Sequence, residues 1–147
     1  MKPLTKTMGK VLSIWKNVSL DFLKAYQDHS VESMVALCHK NSTVSFTPLG
    51  EDGKGTIQDL GKTMWTYLMD SFPDIDNTVH SVSHEEGKII AKVSIRGTQA
   101  KDFAGISNKG HSFDSEHIFV FTMDDSNEIN HININWDHTD FQRQLGV

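Results

Sequence analysis

The residues with the clearest chemical potential form an alternating polar and apolar run near the C-terminus. The run consists of His131, Ile132, Asn133, Ile134, Asn135, Trp136 and Asp137. Side chains alternate across a β-strand, so the four polar groups share one face. Two interpretations stay open: a solvated face of a half-buried strand, or polar groups inside a ligand cavity. Inside a cavity, burial would raise the pKa of Asp137 and make it a usable acid or base.

A second candidate is His117, which lies in another alternating stretch. Its predicted strand face also carries Phe113, Ser115, Phe119 and Phe121. A single histidine among phenylalanines is typical of a hydrogen-bonded core residue. Proximity to Asp137 would instead make it a partner in catalysis, and the sequence leaves both interpretations open.

No metal or cofactor site is expected, although the chain has eight histidines. His80 and His84 lie on a predicted strand, which separates them by roughly 13 Å. Cys38 and His39 are adjacent on a predicted helix, so their side chains diverge and Cys38 is expected to be a buried thiol. No phosphate-binding or dinucleotide motif is present.

Composition narrows the class of protein. A formal net charge of −5 argues against nucleic-acid binding. The single cysteine excludes an intramolecular disulfide and is typical of a reducing compartment. No apolar run approaches the ~20 residues of a membrane-spanning helix, and no signal peptide is evident. We therefore expect a cytoplasmic protein with neither membrane nor nucleic-acid partners.

The order of elements indicates an α+β fold in a single domain, residues 1–147. The first half is helical: one long helix, a short one capped by Ser30, and a third that begins at Thr56 and ends before Pro73. Strands are predicted at residues 43–47, 76–85, 88–97, 111–123 and 128–137. A bent sheet wrapped around three helices forms a cone, and its cavity would be lined by aromatic side chains. The candidates for that lining are Trp15, Phe46, Trp65, Phe103 and Phe119.

Several short motifs occur in a characteristic order along the chain. They are Phe72-Pro73-Asp74, Arg96-Gly97-Thr98, Phe103-Ala104-Gly105-Ile106, Phe119-Val120-Phe121, Trp136-Asp137 and Gln144-Leu145-Gly146. In these the chain resembles the SnoaL-like polyketide cyclases, also called ester cyclases, of the nuclear-transport-factor-2-like superfamily. The resemblance implies a cone-shaped, barrel-like fold with a strongly curved mixed or antiparallel sheet. It also implies a homodimer or homotetramer paired through the sheets.

The resemblance further implies a cofactor-independent, cyclase- or isomerase-type enzyme performing a lyase-like intramolecular aldol reaction. Asp137 matches the family's general acid/base. Beside this match, the residues themselves suggest His117 as a catalytic partner of Asp137. Gln99, His131, Asn133 and Asn135 would position a hydrophobic, carbonyl-containing substrate. Gln99 replaces the histidine of the family's Gly-Thr-His motif, so the surroundings of the acid/base have changed. The alternative is a non-catalytic small-molecule-binding or dimerisation module of the same fold.

Overall fold

Residues 6–147 are described by a computed structural model, and the first five residues of the predicted domain lie outside the described part. In chain order the helices and strands are α1 (Lys6–Gln27), α2 (Val31–Ala36), β1 (Cys38–Phe46), β2 (Lys54–Thr56), α3 (Lys62–Ser71), β3 (Asp76–Glu85), β4 (Lys88–Thr98), β5 (Ser112–Met123), β6 (Ile129–Trp136) and α4 (His138–Gln144). A 3₁₀ segment, Thr47–Gly53, precedes β2, and a π-helical turn, Ile57–Gly61, leads into α3.

The six strands form one curved, unclosed sheet in the order β2-β1-β6-β5-β4-β3. Strand β1 runs parallel to β6, and every other neighbouring pair is antiparallel. The sheet is therefore mixed, which confirms the predicted fold class. Because β1 must cross over to reach β6, the first and last strands meet in the middle of the sheet.

The concave face of the sheet packs against the helices through an aromatic core. Phe22 of α1 is fully buried, and its ring lies 5.3 Å from Trp65 of α3 and 5.6 Å from Phe121 of β5. Both contacts are edge-to-face, the geometry that aromatic quadrupoles favour. One residue thus joins two helices to the sheet.

Predicted helix starts are confirmed by their caps. The Ser30 hydroxyl accepts a hydrogen bond from the Ser33 backbone N–H (3.3 Å), and Thr56 does the same for Asp59 (3.2 Å). These bonds satisfy backbone donors that have no partner inside the helix. None of the helices within residues 6–147 is both long and apolar enough to cross a bilayer.

Three local predictions were wrong. Cys38 belongs to β1 rather than to a helix, because the Leu37 carbonyl accepts the Ile129 N–H (3.0 Å) and draws the chain into the sheet. Residues 54–56, where no strand was predicted, pair with β1 as strand β2. The last strand ends at Trp136 and a fourth helix follows, since Asp137 accepts a hydrogen bond from the Asp140 N–H (3.0 Å) and caps α4.

Candidate active site

A cavity of about 80 Å³ lies where the inner face of the sheet diverges from α1, α3 and α4. Its wall is mainly aromatic and aliphatic, and four of the predicted lining residues contribute to it: Phe46, Trp65, Phe103 and Phe119. Among the lining residues, Tyr26, Trp65, His117, Trp136 and His138 carry side-chain hydrogen-bonding groups. The cavity is therefore apolar with a few isolated polar atoms.

His117 lies on the inner face of β5 and is only 9% exposed. Its Nδ1 lies 3.2 Å from the Ser115 carbonyl oxygen and 3.5 Å from the Ser115 hydroxyl. A carbonyl oxygen can only accept, so we assign the proton to Nδ1. Nε2 is then the nitrogen with a free lone pair. Burial lowers the pKa of His117 to about 4, only partly opposed by the Ser115 bond, so the ring is neutral at neutral pH.

Trp136 and His138 stand beside His117. The Trp136 ring is stacked on His117 at 5.4 Å, and its indole N–H donates to Nδ1 of His138 at 3.2 Å. In neutral His138 the proton must then reside on Nε2. Burial lowers the pKa of His138 as well, which favours that neutral form.

Two further donors on the cavity wall lack partners. The hydroxyl of Tyr26 and the indole N–H of Trp65 make no hydrogen bond to any of residues 6–147, and both residues are at most 2% exposed. Burial raises the pKa of the Tyr26 phenol, so the hydroxyl keeps its proton. Three of the free polar groups are therefore donors, namely those of Tyr26, Trp65 and His138, and His117 supplies the acceptor.

Asp137 lies outside the cavity. It is exposed, it does not line the wall, and its carboxylate caps α4. The next carboxylate along the chain, Asp140, is bonded by Arg143 and then by Gln144, which together hold its pKa below the usual range. Neither carboxylate has the desolvated environment that the cavity interpretation required.

The polar face of the last strand also points away from the cavity. Ile132 and Ile134 are buried, whereas Asn135 is exposed and His131 and Asn133 are half-buried. His131 hydrogen-bonds Thr43 (2.7 Å), and Asn133 accepts from Thr47 (2.9 Å). Successive side chains of a strand point to opposite faces, so a strand that turns Ile132, Ile134 and Trp136 inward turns its polar side chains outward. The structure thus favours the interpretation in which the polar face of this strand is solvated.

Two other predicted binding residues have structural roles. Gln99 is 2% exposed, and its amide donates to the carbonyls of Lys101 (3.0 Å) and Ile106 (2.9 Å), which shapes the loop that brings Phe103 to the cavity. Trp15 is absent from the cavity wall, and its indole N–H donates to Asn127 (2.9 Å) instead. Neither Gln99 nor Trp15 lines the cavity.

The cavity wall also includes Tyr26, Trp136 and His138, which the sequence did not predict as site residues. Tyr26 reaches the wall from α1. Trp136 carried a usable signal, since it shares the apolar face of the last strand with Ile132 and Ile134. His138 is the first residue of α4, a helix that the sequence did not predict.

One group of side chains within residues 6–147 could hold a metal ion, and it lies away from the cavity. The ligand atoms of His39, Asp124 and Glu128 fall within 4.8 Å of one another. However, Nδ1 of His39 accepts the Asn41 N–H (3.0 Å), and Asp124 already accepts two backbone N–H groups of its turn. These bonds give the cluster a structural use, and no metal is assigned to it.

The sequence profile of the family described as SnoaL-like polyketide cyclase matches residues 16–145. The chain belongs to this family. Membership supports a polyketide cyclase-type role in general terms. A search of curated proteins finds no match.

Solved structures share the SnoaL-like cone fold at low sequence identity. A candidate SnoaL-like polyketide cyclase from Jannaschia sp. CCS1 is 15% identical, with a TM-score of 0.79 over 92% of this chain and 93% of that one. IdmH, a candidate polyketide cyclase from Streptomyces antibioticus, is 20% identical, with a TM-score of 0.73 over 90% and 99%. An LEH-like epoxide hydrolase from M. tuberculosis is 12% identical, with a TM-score of 0.69 over 90% of each chain. Because this fold carries different chemistries, it does not by itself specify the reaction.

Proposed function

We propose that this SnoaL-like protein is a cofactor-independent enzyme that performs aldol-type chemistry on a hydrophobic compound with at least two carbonyl groups. The observation that carries the proposal is the set of free hydrogen-bonding groups on the cavity-lining residues. Free donors from Tyr26, Trp65 and His138 match a ligand rich in acceptor oxygens, and His117 supplies one base. Carbonyl oxygens accept hydrogen bonds and donate none, so such a ligand leaves few buried groups unpaired.

In the proposed reaction, Nε2 of His117 removes a proton from the carbon next to a carbonyl group. The C–H electron pair becomes the enolate double bond, and the charge moves to the oxygen. The enolate carbon then attacks the second carbonyl carbon, a C–C bond forms, and the resulting alkoxide takes the proton back from His117. The reaction is an isomerisation that closes a ring. A positioned base of this kind contributes roughly 10²–10⁴-fold.

Substrate size depends on the loop that follows β4. The cavity volume of about 80 Å³ is below the roughly 300–1,000 Å³ of typical ligand pockets. Phe103 and Ala104 belong to this loop and line the cavity, and the loop is tied to α3 by the Tyr67 hydroxyl, which accepts the Ala104 N–H (3.0 Å). Movement of Phe103 would enlarge the cavity for a polyketide, whereas a small ketone requires less change.

The test is base-catalysed hydrogen exchange on a small probe. Cyclohexanone is incubated with the protein in D₂O, and deuterium incorporation next to the carbonyl is followed by NMR. We expect exchange above the buffer rate for the wild type and a loss of roughly 100-fold for His117→Gln. Asp137→Asn is expected to keep the wild-type rate. Loss of exchange in Asp137→Asn with full activity in His117→Gln would transfer the base role to Asp137 and overturn our assignment.

A non-catalytic binding module is the second candidate, and the placement of Asp137 outside the cavity favours it. In that case cyclohexanone shifts the NMR signals of cavity residues without exchanging its own protons. The cytoplasmic location and the absence of a cofactor stay predictions from the sequence.

A further inference from the structure

Two histidines on the same cavity wall are held as opposite tautomers. In His117 the Ser115 carbonyl fixes the proton on Nδ1 and leaves Nε2 as an acceptor. In His138 the indole N–H of Trp136 occupies Nδ1 and leaves the proton on Nε2. One ring can therefore accept a proton while the other can only donate a hydrogen bond.

Trp136 also places the two rings at the same end of the cavity. It stacks on His117 at 5.4 Å with an interplanar angle of 16°, and it meets His138 edge-to-face at 5.9 Å and 77°. A single side chain thus contacts the base and the donor. Tyr26 and Trp65, which also offer free donors, have no ring contact with either histidine; Tyr26 meets Phe119, and Trp65 meets Phe22 and Phe46.

The ring of His138 is held from two directions. The Trp136 hydrogen bond fixes one edge, and Phe141, itself only 5% exposed, stacks on the face at 5.8 Å and 18°. The short sequence 136–141 therefore supplies the donor, the residue that fixes its tautomer and the residue that fixes its plane. A donor fixed before the reaction stabilises developing charge without the cost of reorganising at that moment.

We infer that His138 is a catalytic residue that donates a hydrogen bond from Nε2–H to the carbonyl oxygen whose neighbouring carbon is deprotonated by His117. This inference rests on the proposed function and adds a residue that the sequence analysis did not identify. No proton leaves His138 in the step. The C–H proton moves to Nε2 of His117, the electron pair moves through carbon to oxygen, and the His138 bond shortens as that oxygen becomes negative. Trp136 is a positioning residue, since it acts through His138.

The alternative is a purely structural role, in which His138 only packs α4 against the sheet. Two variants separate the roles. His138→Phe keeps an aromatic ring against Phe141 but has no donor. His138→Gln keeps one acceptor for Trp136 and one donor for a ligand. Thr139→Ala, an exposed change in the same helix, is the matched control.

The first measurement does not depend on activity. Long-range ¹H–¹⁵N NMR of the histidine side chains in the wild-type protein reports which ring nitrogen carries the proton. We expect protonated Nδ1 in His117 and protonated Nε2 in His138. A proton on Nδ1 of His138 would overturn the inference whatever the enzyme does.

The second measurement is the cyclohexanone exchange rate at saturating and limiting probe. Removing one such donor typically costs 10²–10³-fold in kcat, so we expect a loss of roughly 100-fold in His138→Phe with little change in KM. His138→Gln should recover part of the rate, and Thr139→Ala should match the wild type.

Wild-type exchange in His138→Phe together with loss in His117→Gln would overturn the role of His138 and leave the proposed function standing. Loss in Tyr26→Phe in place of His138→Phe would assign the donor to Tyr26 and also overturn the inference. No exchange by the wild-type protein would instead reject the proposed function and this inference with it.

Discussion

At the residue scale, burial and local hydrogen bonds decide what each imidazole can do. His117 and His138 both lie against apolar neighbours, and burial lowers the pKa of both. Their hydrogen-bond partners then decide where the single proton sits, because a carbonyl oxygen requires a donor and an indole N–H requires an acceptor. Identical side chains therefore acquire complementary functions.

The lowered pKa of His117 makes stability depend on pH. The unfolded chain binds a proton at about pH 6.5 and the folded chain only at about 4, so the unfolded state holds more protons between these values. The contribution of His117 to the free energy of unfolding should therefore be fully present above about pH 6.5. It should fall as the pH drops toward 4. The two pKa values correspond to a loss of about 3 kcal/mol at most.

Urea denaturation across pH 4–7 measures this contribution in the wild type and in His117→Gln. The variant should show a flatter dependence of stability on pH over that window. Equal slopes in the two proteins would contradict the neutral, buried state of His117.

At the element scale, α4 determines where the last strand ends and which of the following residues reach the cavity. Because Asp137 begins a helix, the strand ends one residue earlier and the following residues fold back over the cavity. His138 and Phe141 reach the cavity wall in this way. The helix has only seven residues, so its stability depends on its cap and on burial of Phe141.

A pair of substitutions tests the capping of α4 by Asp137. Asn caps helices about as well as Asp, so Asp137→Asn should leave the free energy of unfolding nearly unchanged, whereas Asp137→Ala should lose about 1 kcal/mol. Chemical denaturation at pH 7 measures both. A large destabilisation by Asp137→Asn would show that the charge, rather than the cap, is what α4 requires.

At the scale of the whole molecule, the largely polar outer face of the sheet carries a small apolar centre formed by Val120 and Ile90. Val120 of β5 lies opposite Ile90 of β4 and Asn133 of β6, and all three are only half-exposed. The predicted pairing of two chains through their sheets would cover this centre. We propose that the homodimer forms here, since paired sheet faces bury apolar side chains that point away from the helices.

Val120→Lys tests that pairing. A charge at the centre of an apolar interface loses its hydration, so the variant should be monomeric at concentrations where the wild type is a dimer. Light scattering after size-exclusion chromatography gives the mass, and Lys92→Gln on the same face is the control. A wild-type protein that is monomeric at high micromolar concentration would contradict the proposed dimer.

Most of the fold could be predicted from local patterns. The caps at Ser30 and Thr56 and the strands β4 and β5 depend on patterns of neighbouring residues, and the structure confirms them. The exceptions are segments whose secondary structure is set by backbone hydrogen bonds to residues far away in sequence. Leu37 bonds Ile129 across 92 positions and converts a predicted helix end into a strand, and β2 exists because β1 pairs with it.

The candidate site divides along the same line. The sequence by itself determined the family motifs, the strand face of β5 that carries His117 and four aromatic residues of the cavity wall, because residue type and strand parity are local properties. Only the tertiary structure decided which face of β6 turns inward, that Asp137 caps a helix and that His138 joins His117 beside Trp136. The alternation of side chains along a strand shows that its two faces differ, but not which face is covered. The helices that pack against the sheet decide which face is covered.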